Sequence, residues 1–72
     1  MEEPKINVVQ DIYKSTDGRE LIKYTAYYVD PNDPTNDITE QADSPTQALD
    51  QLYEVLEHRG HSRDTLPQPR LL

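Results

Sequence analysis

The side chains of this sequence with the most potential for chemistry or recognition are its carboxylates. Fourteen Asp and Glu stand against seven Lys and Arg, for a formal net charge of -7. Their placement says more than their number. No Lys or Arg occurs from Tyr24 to His58, while Asp30, Asp33, Asp37, Glu40, Asp43, Asp50, Glu54 and Glu57 all fall within that span. Such a stretch repels a phosphate backbone and attracts a basic surface. Direct nucleic-acid binding is therefore disfavoured, and a basic protein is the expected partner. An acidic surface also keeps a small protein in solution without contacting anything, so solubility alone is the competing explanation.

Other chemistry fails on residue type or spacing. The chain has no cysteine, which excludes thiol nucleophiles, disulfides and thiolate zinc sites. Asp30, Asn32, Asp33, Asn36 and Asp37 offer the oxygen atoms calcium prefers, but the mid-loop Gly and closing bidentate Glu of a calcium loop are missing. His58 and His61 flank Arg59-Gly60, one on a polar helix face and one beyond the helix, and read as solvated side chains. Ser15, Ser44 and Ser62 have plainer roles in a turn, a cap and a tail. The two glycines, Gly18 and Gly60, are spent as punctuation, so no phosphate-cradling loop exists. No catalytic residue, metal ligand or cofactor is assigned, and the expectation is a protein that binds rather than one that catalyses.

The elements that must position the carboxylates follow from local preferences. Ser44 is a good N-cap, Pro45 suits the first helical position, and Gln47 stands where a capping box needs it. Ala48, Leu49, Leu52, Val55 and Leu56 then recur at helical spacing with Tyr53 at the stripe's edge, which predicts a helix from Pro45 to Arg59. Gly60 ends it. Asp50, Glu54 and Glu57 lie on the outer face. Upstream, Lys5 to Lys14 and Glu20 to Val29 read as strands joined by an Asp17-Gly18 turn, the second carrying apolar bulk on both faces. Tyr13 and Tyr27 are candidate contacts on the face away from the helix, unless they pair with each other across the strands. Asp30 to Asn36 is a loop, and Asp37 to Ala42 a candidate third strand.

The fold expected is α+β: an antiparallel hairpin or three-stranded sheet with one C-terminal helix packed on one face. Residues 1–60 form a single small domain in this reading, and 61–72 a flexible, proline-containing tail, with Leu66, Leu71 and Leu72 available to dock on a groove of the domain or of a partner. Seventy-two residues bury a thin core, and oligomerisation is a common remedy, so a homodimer is a further expectation. The N-terminus lacks a signal-peptide pattern and no apolar run approaches membrane-spanning length, so no membrane contact is expected and the expected compartment is the cytoplasm.

The order strand, Asp17-Gly18 turn, strand with Tyr24-Thr25-Ala26-Tyr27-Tyr28-Val29, short strand, and the helix entry Asp43-Ser44-Pro45-Thr46-Gln47-Ala48-Leu49-Asp50-Gln51-Leu52 resembles the N-terminal domain of the HicB antitoxin family. The likeness spans residues 5–58. It implies a sheet with one helix on one face, often dimeric, that blocks a small basic RNA-cleaving toxin. Two departures stand out: the family's Gly-Cys pair near the second or third strand is replaced by Asp-, Asn- and Pro-rich loop residues, and these 72 residues contain no DNA-binding domain. The resemblance thus implies neutralisation of a toxin without autoregulation. The alternative function is an inhibitor from a phage or mobile element that mimics nucleic-acid charge and occupies a nucleic-acid-binding host protein.

Overall fold

The computed structural model describes residues 3–72. Its elements are β1 (Lys5–Lys14), β2 (Glu20–Val29), β3 (Ile38–Ala42), α1 (Pro45–His58) and β4 (Pro69–Leu71), with single 3₁₀ turns at Pro34–Asn36 and Arg63–Thr65. The fold is α+β, a four-stranded mixed sheet in the order β3-β2-β1-β4 with α1 packed on one face.

Alternation along the strands sorts side chains to the two sheet faces, and register brings each sorted set together. β1 and β2 pair antiparallel with Ile6 opposite Tyr28, Val8 opposite Ala26 and Ile12 opposite Ile22. β3 continues the antiparallel order, with Ile38 opposite Tyr28 and Ala42 opposite Tyr24. Ile6, Val8, Ala26, Tyr28 and Ile38 thereby share the face that α1 covers with Ala48, Leu52 and Leu56, and these eight side chains are the buried core. Leu49, Tyr53 and Val55 pack at its margin. Burying Leu52 or Leu56 contributes about 2 kcal/mol each by area.

The helix boundaries have local causes. The Ser44 side chain accepts a hydrogen bond from the Gln47 N–H at 3.1 Å. The return bond of a full capping box, from the Ser44 N–H to the Gln47 side chain, is not among the hydrogen bonds of the described residues, so the predicted box is half made. At the other end Gly60 has φ +95°, its N–H reaches the Glu57 carbonyl at 3.0 Å, and the His61 N–H reaches the Leu56 carbonyl at 3.0 Å. These are the two bonds of a Schellman stop, with Gly supplying the left-handed residue. The helix therefore ends at His58, with Arg59 as its cap.

The β1–β2 connection differs from a two-residue hairpin. Among the described residues none other than glycine has positive φ, so Asp17 does not share a mirror-image turn with Gly18, whose φ is +86°. A five-residue connection forms instead, closed by Gly18 N–H to the Ser15 carbonyl (3.1 Å) and Ser15 N–H to the Arg19 carbonyl (2.9 Å). Asp17 serves as acceptor for the Ser15 hydroxyl and the Arg19 N–H, and these two bonds lower its pKa.

The largest departure is at the C-terminal end. Residues 61–72, expected as a flexible tail with Leu66, Leu71 and Leu72 as its docking residues, carry a 3₁₀ turn, pack Leu66 against the core and return as β4 parallel to β1, pairing Ile6 with Pro69 and Val8 with Leu71. The expected two or three strands are thus four. Pro69 fits as the first residue of an edge strand, where its missing N–H costs no ladder bond.

Candidate protein-binding surface

The acidic residues singled out from sequence fall in three places. Asp30, Asp33 and Asp37 lie in the β2–β3 connection, where each carboxylate accepts a backbone N–H: Asp30 from Asn32 (2.9 Å), Asp33 from Thr35 (3.1 Å) and Asp37 from Asp30 (3.1 Å). Asp and Asn side chains stabilise turns in this way, which is why the loop sequence holds a defined path. The hydrogen bonds orient the carboxylates but do not neutralise them. Among the described residues no ion pair involves Asp30, Asp33 or Asp37. Asp30 also acts on the core: burial first, and then the Asp30 charge, raises the pKa of Tyr28.

The second place is α1. Asp50 and Glu54 are exposed on its outer face, but Glu57 forms an ion pair with Arg63, whose guanidinium carbon stands 5.1 Å from the centre of the Tyr53 ring. The Glu57 hydrogen bond and charge raise the Arg63 pKa, with a further contribution from Asp50. Arg63 comes from the segment expected to be a loose tail, so its return partly neutralises a helix face that looks wholly anionic in the sequence. Glu40 lies apart from both groups, half-buried on β3 opposite Ala26 and thus on the helix side of the sheet. Asp43, at the end of β3, pairs with Lys23.

The third place is the uncovered sheet face. Tyr27 lies opposite Asn7 and Thr39, and Tyr13 opposite Leu21, so the two tyrosines do not pair across the strands. Tyr13 is instead held by a polar chain that sequence reasoning missed. The Gln41 amide donates to the Tyr13 hydroxyl at 3.0 Å and to the Thr25 hydroxyl at 3.4 Å, while the Thr25 hydroxyl donates to Asp11 at 2.6 Å. Thr25 and Gln41 are cross-strand partners. That pairing is invisible until register is known, because neither residue stands out alone.

The helix covers β2 and β3 and touches β1 little, so the far end of the β1–β2 hairpin extends beyond it. There Ile12, Tyr13, Leu21 and Ile22 are between 46% and 63% exposed, an unusual concentration of apolar surface in so polar a chain. The apolar bulk on both faces of the second strand is the sequence signal for it. The one pocket described, lined by Glu3, Pro4, Thr65 and Pro67, brings together a single carboxylate and gathers none of the candidate residues. No group of His, Asp and Glu among the described residues has the geometry of a metal site. Among the described residues no helix is long and apolar enough to cross a membrane. No protein-family model matches the chain, and neither a curated protein nor a solved structure matches it at a significant level.

Proposed function

We propose that this chain is a non-enzymatic binding module for a basic protein, with Asp30, Asp33 and Asp37 as its principal contacts. The observation carrying this reading is that loop's arrangement: three carboxylates oriented by backbone N–H groups, with no cation paired to any of them among the described residues. Preoriented, unneutralised charge favours a cationic partner more than an equal number of carboxylates on free side chains, since less ordering is needed on binding. The likeness to the HicB antitoxin N-terminal domain suggests the partner's class, a small basic RNA-cleaving protein whose nucleic-acid surface is covered. Glu57 contributes least, because Arg63 already occupies it.

The test is binding to a purified small basic ribonuclease, with a basic DNA-binding enzyme as the comparison, across a salt series. The ribonuclease is expected to bind more tightly, with affinity falling as salt rises. Replacing all three residues, Asp30→Asn, Asp33→Asn and Asp37→Asn, removes exposed charge pairs of about 0.2–1 kcal/mol each, so affinity should drop roughly 3- to 160-fold. Tighter binding to the DNA-binding enzyme would favour the nucleic-acid mimic. Unchanged affinity of the triple variant for either partner would remove the loop from the interface.

A further inference from the structure

On the reading of this chain as a binder of a basic protein, we infer that the outer edge of β3 takes up an extended cationic segment of that partner. The segment adds as a strand antiparallel to β3, with a Lys or Arg opposite Glu40.

The hydrogen-bond phase of the sheet shows which groups of β3 are unused. Among the described residues β3 is the last strand on its side. The Leu72 N–H reaches the Val8 carbonyl at 2.9 Å, so the main-chain groups of Val8 point to β4 and away from β2. Main-chain directions alternate along a strand, and directly opposed antiparallel residues either exchange bonds or both turn away. Ala26, opposite Val8, therefore turns to β3 and bonds with Glu40, its partner there. Thr39 and Gln41 are left with their N–H and C=O groups directed outward. Both residues are exposed, the Gln41 amide is folded back over the sheet to Tyr13 and Thr25, and the 3₁₀ turn at Pro34–Asn36 packs against β2. Outward main-chain groups in phase are a template for a further strand.

Charge decides which strand fits. Glu40 at the centre of β3 and Asp37 just before it have no ion pair among the described residues, and Lys23, on the neighbouring strand, is taken by Asp43. A second copy is disfavoured here, because the antiparallel register that uses both Thr39 and Gln41 sets Glu40 against Glu40. A cation opposite Glu40 forms a favourable cross-strand pair instead.

The helix shapes the same position. Tyr53 is on the flank of α1 that meets Arg63 of the returning segment, and Val55, two residues on and half-buried, is on the opposite flank, toward β3. A Lys or Arg side chain between Val55 and Glu40 lays its aliphatic stem on the valine and its charged head on the carboxylate. Asp37 then joins this edge to the Asp30–Asp37 loop, so one basic segment engages both.

The probe is a synthetic nonapeptide alternating Lys and Thr, compared with one alternating Lys and Pro, which carries the same charge but cannot complete a ladder. The full chain should bind the first at least about tenfold more tightly. At saturation, amide exchange at Thr39 and Gln41 should slow by about tenfold or more, with little change at Glu40, already bonded to β2. Thr39→Pro removes an outward N–H without breaking a ladder bond of the fold, and should weaken binding about tenfold with circular dichroism unchanged, while Thr39→Ala has little effect. Absence of binding, equal affinity for the two peptides, unchanged exchange at Thr39 and Gln41, or full affinity in Thr39→Pro would overturn strand addition. So would slowing at those two amides as the chain alone is concentrated, which would make a second copy the occupant. The loop reading is judged separately: a basic ribonuclease that loses affinity with the Asp30, Asp33 and Asp37 replacements but not with Thr39→Pro would leave the loop contact standing and remove the strand.

Discussion

At the residue scale, the side chains that matter are defined by which neighbours satisfy or oppose them. Asp33 and Glu57 are both exposed carboxylates, yet one is oriented by a Thr35 N–H with no cation beside it and the other is paired with Arg63. Tyr28 carries a pH dependence. Its side chain is buried and its pKa raised, by desolvation and then by Asp30. An unfolded tyrosine titrates near about 10. Above that pH the unfolded chain loses a proton that the folded chain still holds, so Tyr28's contribution is fully present below about pH 10 and is lost as pH rises through the folded value. Denaturant unfolding from about pH 8 to 11 should therefore show stability falling at the alkaline end, and less steeply in Tyr28→Phe.

At the element scale, α1 and the C-terminal segment hold the fold together from the same side. Leu52 is fully buried between the helix and the sheet, and Leu52→Ala should cost about 2–5 kcal/mol in chemical denaturation. Leu66 is half-buried against the same core, and Leu66→Ala should cost about 1 kcal/mol. A measurable loss at Leu66 distinguishes a docked return strand from a loose tail, which would tolerate the change without effect. The helix was legible because Ser44, Pro45, the Leu52 stripe and Gly60 act within one or two turns of one another. β4 was not, because Pro69, Arg70 and Leu71 are too few to show alternation, and their pairing depends on β1, more than sixty residues away in sequence.

At the scale of the whole molecule, charge and shape work together. The radius of gyration is 13.6 Å, against about 11 Å for a compact chain of this length, because the hairpin outreaches the helix. A net charge of -7 on so small a body opposes folding through self-repulsion. Raising salt from about 0.02 M to 0.2 M shortens the screening length, and the melting temperature should rise by a few degrees; a flat or falling melting temperature would show that the ion pairs at Asp17, Asp43 and Glu57 outweigh the repulsion.

The α+β class, the strand–strand–strand–helix order, the helix and the anionic character were determined by the sequence itself, because periodicity, capping and composition act over neighbouring residues. Only the tertiary structure decided where the acidic residues ended up. It set Arg63 against Glu57, separated Tyr13 from Tyr27, joined Tyr13 to Thr25 and Asp11 through Gln41, and brought Pro69, Arg70 and Leu71 beside Ile6, Asn7 and Val8. Each of these depends on strand register or on the path of the returning chain. Register is fixed by which apolar faces must meet in the core, and no window of local sequence contains that information.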